Sequence, residues 1–234
     1  MAGKDITITA KDGGSFAGYL ASPPGGGPAP GIVVMQEIFG VNAVMREITD
    51  FYAAQGFLAL CPDLFWRIEP GIQITDKSEE EWKQAFGYFQ AFDIDKGMDD
   101  VAATITALRG MEGCTGKVGA VGYCLGGRLA YHAATRTDAD AAVGYYGVGI
   151  QDHLDEASRI TKPLMLHIAS KDGFVPPEAQ QAIKDGLTHH NTVVIYDYAD
   201  QDHAFARMGG AHYDKVAADT ANARTIEFFK ASLA

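Results

Sequence analysis

Short apolar runs that alternate with stretches of helical spacing decide what this chain can fold into. Beyond residue 30 the strand-like runs are GIVVMQ (31–36), FLALC (57–61), KVGAVGY (117–123), AAVGYYG (141–147), PLMLHIA (163–169) and TVVIYDY (192–198). Residues 42–55, 76–92, 95–109, 125–135, 177–187 and 213–231 carry helical patterns. Such alternation implies a largely parallel sheet with helices on both faces. The N-terminal part departs from it: DITITA alternates, KDGGS is a turn and FAGYLA returns, which predicts an antiparallel hairpin. SPPGGGPAP (22–30) reads as a surface connection, because no Lys-Ser/Thr pair follows to make it a phosphate-binding loop. With no internal repeat or linker, residues 1–234 are expected to form a single domain.

In a sheet of this kind chemistry gathers beyond the carboxyl ends of the strands. Glu37 follows the first of the six runs, Asp63 the second, Cys124 the third, Asp172 the fifth and His203 the sixth. Cys124 lies in VGYCLGGRLA, a strand–turn–helix stretch spelling G-x-C-x-G where a nucleophile elbow usually spells G-x-S-x-G. Nucleophile, acid and histidine in that chain order match the α/β-hydrolase architecture. The elbow would lift the Cys124 sulfur clear of the sheet. The backbone N–H of Leu125, at a helix N-terminus, and that of Ile38, after the first parallel strand, would hold the oxyanion. His203 would move the proton, and Asp172 would fix its tautomer. Each residue alone has a plainer explanation: cysteine is often simply buried, Asp-Gly is a turn signal, and a lone histidine is usually a satisfied polar residue. Their order, each just past a strand, is what points to catalysis. Cys61 and Cys114 have no such setting and read as structural. His189 and His190 read as a solvated pair at a helix end, and SEEEWK (78–83) as the solvated face of a helix.

Composition excludes several partners. A formal net charge of −11 argues against nucleic acid or an anionic membrane, although one arginine can still hold a small anion locally. Three cysteines without a C-x-x-C pair argue against a disulfide framework or thiolate metal site, and for a reducing compartment. MAGKDITITA lacks the apolar core of a signal peptide, and no run is long enough to span a membrane. A cytoplasmic monomer is expected.

At this point several segments resemble the dienelactone hydrolase (carboxymethylenebutenolidase) family: QEIFGVNAVMRE (36–47), CPDL (61–64), QAFD (90–93), GKVGAVGYCLGG (116–127), VGYYGVG (143–149) and DHAFAR (202–207). The resemblance implies an α/β-hydrolase fold and a Cys124–His203–Asp172 triad that uses no cofactor and no metal. The implied activity is the opening of a dienelactone, plain or chloro- or methyl-substituted, to maleylacetate or its analogue in catechol and chlorocatechol breakdown. It also implies that Glu37 holds the resting thiol until substrate displaces it, since a nearby carboxylate disfavours a second negative charge. Arg207 is implied to bind the substrate carboxylate through its planar fork; the plainer reading is an exposed solubilising charge. Gln36, Phe39, Tyr145 and Trp82 are expected on the substrate side. One departure stands out: the family's better-known members carry a second substrate-binding arginine in the helix before QAFD. Here SEEEWKQAFGYFQAFD (78–93) offers only Trp82 and Lys83. A bulkier dienelactone, a broader carboxylesterase activity and, third, a non-catalytic ligand-binding hydrolase fold all stay open.

Overall fold

The computed structural model describes residues 3–234. Eight strands form the sheet: β1 (Lys4–Thr9), β2 (Ser15–Ala21), β3 (Ala29–Met35), β4 (Leu58–Pro62), β5 (Cys114–Tyr123), β6 (Ala141–Tyr145), β7 (Leu164–Ala169) and β8 (Val193–Tyr198). Their order is β1-β2-β4-β3-β5-β6-β7-β8. The hairpin is as predicted: β1 and β2 pair antiparallel from Lys4 opposite Leu20 to Thr9 opposite Ser15. β2 joins β4 antiparallel, whereas β3–β4, β6–β7 and β7–β8 are parallel. The chain divides into two compact units, Met1–Ala120 and Val121–Ala234.

In the first unit α1 (Ala43–Ala54), α2 (Glu79–Ala91) and α3 (Ile94–Arg109) accompany the strands. The Asn42 side chain caps α1 by accepting the Met45 N–H at 3.1 Å, and its amide donates to the Ile74 carbonyl at 2.8 Å. Ser78 caps α2 by accepting the Glu81 N–H at 3.2 Å. Glu79, Glu80 and Glu81 fill the first turn, where acidic charge suits the helix dipole. The SEEEWK run is a solvated helix face, as expected, and also the start of that helix. Ile32, Val33, Val34 and Met35 of β3 and Ala59, Leu60 and Cys61 of β4 are fully buried. Beyond β4 the buried Asp100 of α3 accepts two bonds from Arg67 and one from the Trp66 indole, each at 2.8 Å, which pins the β4–α2 connection to the helix.

In the second unit α4 (Leu125–Arg136) and α6 (Lys215–Ser232) pack on β6, and α5 (Pro177–Leu187) packs on a 3₁₀ helix, Ile150–Arg159, kinked at His153. No helix was expected over 150–159. Inside this unit lies a closed polar network. His167 of β7 bonds the Tyr198 hydroxyl at 2.8 Å and the Thr225 hydroxyl at 2.9 Å, and Thr225 bonds the Tyr145 hydroxyl at 2.6 Å. Every member has a partner, so the network can lie in the core without the penalty of an unmade hydrogen bond.

Candidate active site

β5 ends at Tyr123 and α4 begins at Leu125, so Cys124 alone makes the corner, with φ 56° and ψ −113°. A side chain held there costs about 1–3 kcal/mol and persists only where its surroundings enforce it. Here the backbone does so: the Cys124 N–H donates to the Tyr145 carbonyl at 3.1 Å, and the Cys124 carbonyl accepts from Gly127 at 3.0 Å. Gly122 is a steric requirement, because a Cβ there would sit 1.9 Å from the Gly126 carbonyl oxygen. Tyr146, Asp200 and Ala204 are the other non-glycine residues with positive φ among those described. All four lie in the loops that follow β5, β6 and β8, so backbone strain is concentrated where the candidate residues are.

His203 Nδ1 lies 2.8 Å from Asp172 Oδ2. The same side chain hydrogen-bonds Cys124, and with Nδ1 committed to Asp172 the nitrogen facing the sulfur is Nε2. Asp172 is buried, and its second oxygen accepts the Phe174 N–H at 2.8 Å. Burial alone would push the imidazole pKa down. The negative charge of Cys124 and the bonds to Asp172 and Cys124 outweigh it and raise the pKa to about 10. The imidazole is thus favoured in its protonated form. The neighbouring carboxylates are engaged elsewhere: Asp202 accepts the His203 backbone N–H at 2.6 Å, and Asp200 pairs with Lys171 at 2.7 Å. Cys61, by contrast, has its pKa pushed up to about 12 by burial, which leaves an inert thiol.

Leu125 opens α4 next to the sulfur-bearing corner. Arg207, four residues past His203, is 8 % exposed, which rules out a solubilising surface charge. Tyr145 corrects an expectation. Its ring is fully buried, 4.3 Å from that of His167, and its hydroxyl belongs to the network with Thr225 and Asn222. Its neighbour Tyr146 faces the site instead, with its ring 5.1 Å from that of His203. Phe174, missed in the sequence, lies 4.9 Å from the same imidazole. Among the described residues no group of three or more His, Cys, Asp or Glu side chains is placed to hold a metal ion.

In the first unit Gln36, Glu37, Ile38 and Phe39 follow β3, all buried. Glu37 is 4 % exposed and so is not the surface carboxylate of a loop. Gln36 serves the backbone: its oxygen accepts the Leu64 N–H at 3.0 Å. Phe39 meets the edge of Trp82 at 5.1 Å, and Trp82 stacks on Phe86 at 5.5 Å. An aromatic stack therefore stands on α2, which contains no arginine.

Residues 16–233 match the dienelactone hydrolase family. The chain belongs to that family. Among its relatives is a protein of Azospirillum brasilense, provisionally named a carboxymethylenebutenolidase, with 51% identity covering 98% of this chain and 99% of the relative. The carboxymethylenebutenolidase of Pseudomonas putida is 40% identical over 97% of this chain and 96% of its own. In fold, this dienelactone hydrolase family member is similar to a provisionally named dienelactone hydrolase from Klebsiella pneumoniae, with a TM-score of 0.87 at 24% identity covering 97% of this chain and 98% of the other. The fold is thus that of the α/β hydrolases, and the chain is a hydrolase of this family.

Proposed function

We propose that the chain is a thiol-dependent lactone hydrolase that opens a dienelactone to maleylacetate or a substituted analogue. The observation that carries the reading is the chain of contacts Cys124–His203–Asp172, with the sulfur on a strained corner at a helix start. In the reading, the Cys124 thiolate attacks the lactone carbonyl. The oxyanion is held by the N–H of Leu125 and, as the resemblance has it, by that of Ile38. The ring C–O bond breaks and the enolate leaves, to be protonated to the keto acid. Water then attacks the thioester. His203 takes its proton, the carbonyl carbon becomes a carboxylate, and the thiolate is restored. Asp172 holds the imidazole in the tautomer that presents Nε2. Glu37 has the role the resemblance gives it, keeping the resting thiol protonated. Arg207 holds the substrate carboxylate. A cytoplasmic location and catechol or chlorocatechol breakdown belong to the same reading.

Arg207→Ala tests it. A charged hydrogen-bond partner is worth about 1.5–3 kcal/mol, so kcat/KM on a dienelactone should fall roughly ten- to hundredfold. On p-nitrophenyl acetate, which has no carboxylate, it should hardly change. Equal losses on both would make Arg207 structural and contradict recognition of an acidic lactone. The absence of arginine from α2 favours a second reading, a broader carboxylesterase. Iodoacetamide labelling separates the two, because dienelactone-dependent labelling of Cys124 belongs to the first and labelling indifferent to dienelactone to the second.

A further inference from the structure

Two histidines stand in the loop between β8 and α6, His203 and His212. About half of the His212 side chain is exposed, and a solvated loop histidine ordinarily needs no partner inside the fold. This one faces two. Its Nδ1 lies 3.1 Å from the backbone carbonyl oxygen of His203. A carbonyl only accepts, so Nδ1 carries the hydrogen. Its Nε2 lies 3.7 Å from Asp202 Oδ2. The other oxygen of that carboxylate accepts the backbone N–H of His203 at 2.6 Å and that of Gly173 at 3.4 Å. Both backbone polar groups of His203 are thus gripped by side chains that face each other. Gly173 ties the grip to the loop that carries Asp172.

The grip falls on strained backbone. Ala204, directly after His203, has φ 63°, and Asp200 has φ 66°. Non-glycine residues keep such angles only where their surroundings enforce them. Beyond Ala204 the chain folds back in successive turns. The Arg207 N–H donates to the Ala204 carbonyl at 2.9 Å, Gly210 to Arg207 at 3.1 Å and Tyr213 to Gly210 at 3.3 Å, while Asp214 donates across the loop to Phe205 at 3.0 Å. The fold-back brings His212 over the residue from which the loop sets out. None of these turn bonds holds the His203 carbonyl; His212 does. A shift of that peptide would carry the imidazole with it, away from Asp172 and Cys124.

We infer that His212 is a positioning residue: its Nδ1–H latches the backbone carbonyl of His203 and, opposite Asp202, keeps the imidazole aimed between Asp172 and Cys124. This rests on the reading of His203 as the proton carrier, and deepens it. Asp202 has the lesser part, because an amide in its place would still offer the oxygen that accepts the His203 N–H.

The test compares wild type, His212→Ala and His212→Asn. The asparagine amide nitrogen stands close to where Nδ1 stood and keeps the donor. On p-nitrophenyl acetate, which has no carboxylate for Arg207, kcat of His212→Ala should fall roughly three- to tenfold, the scale of one hydrogen bond, with KM changed less than about twofold. His212→Asn should stay within about twofold of wild type. The second readout does not depend on turnover. The His203 imidazole, assigned in NMR spectra from the signal lost in His203→Gln, should titrate near 10 in wild type and His212→Asn. In His212→Ala it should titrate at least roughly one pH unit lower, because contacts with both partners loosen. An unchanged kcat and titration in His212→Ala would overturn the inference. So would a variant whose unfolding midpoint alone drops, or a loss in His212→Asn as large as in His212→Ala. An imidazole that titrates as expected in all three proteins, in a wild type that hydrolyses neither lactone nor ester, would overturn the proposed function and leave the latch standing.

Discussion

At the scale of single residues, the site depends on which carboxylate meets which nitrogen. Three aspartates lie near His203 in sequence or space. Asp172 touches the ring, Asp202 accepts backbone N–H groups, and Asp200 is tied to Lys171 on the surface. Asp172→Asn keeps the shape but offers an amide where the imidazole N–H needs an acceptor, which favours the wrong tautomer. We expect kcat on a lactone to fall by at least a hundredfold, on the order of the losses seen for this change in related triads. Asp202→Asn should cost less than threefold, about the scale of one exposed hydrogen bond. Steady-state kinetics of the two variants decides it, and similar losses in both would mean that the orienting carboxylate is misassigned. Residue identity and order were legible here because an elbow, an Asp-Gly turn and a histidine each follow a strand. The facing of Tyr145 and Tyr146 was not. GYYG presents two adjacent tyrosines, and only the packed structure shows that the strand ends at Tyr145 and that Tyr146 turns out of it with φ 38°.

At the scale of elements, the loops are held by buried polar clusters that hydrophobic periodicity does not reveal. Asp100 is fully buried and carries the Arg67 fork and the Trp66 indole. Asp100→Ala leaves Arg67 without its main partner and should cost about 3 kcal/mol, read as a lowered midpoint of urea unfolding. Lys11→Ala breaks the exposed pair with Asp99 and should cost under about 1 kcal/mol. A loss of similar size in the two variants would mean that the Asp100 cluster does not anchor the β4–α2 connection. Strands and helices were readable because their apolar runs are continuous and their caps are local, such as Asn42 and Ser78. The 3₁₀ helix at Ile150–Arg159 was not, since it is kinked at His153 and mostly polar. Nor was the His167–Thr225–Tyr145 network, whose members come from β6, β7 and α6.

At the scale of the whole molecule, three histidines set the dependence of stability on pH. His132 and His167 are buried, and burial together with nearby arginine charge lowers each to about 3. The unfolded chain takes up a proton at each near 6.5 while the fold does not. Stability is therefore full above about 6.5 and falls as pH drops toward 3, by about 1.4 kcal/mol per pH unit for each histidine. Glu156, held at about 2 chiefly by its bond to Arg136, adds stability that is lost on the way down to that pH. His203 acts in the opposite sense. Its pKa of about 10 means that the stability it adds is present below 6.5 and fades as pH rises toward 10. Unfolding midpoints measured from pH 4 to 10 should peak near neutrality. Asp172→Asn should flatten the alkaline limb alone, because it removes the carboxylate that holds the imidazolium. An acid limb that also flattens in that variant would contradict this assignment.

The central claim is that Cys124 carries the acyl group of the substrate. Acid-quenched turnover of a dienelactone, followed by peptide mass mapping, tests it most directly. The account predicts a thioester on the peptide bearing Cys124, formed within the first turnover and absent from Cys124→Ala, which should not hydrolyse the lactone. Turnover that persists in Cys124→Ala, or an adduct carried by another residue, would contradict it.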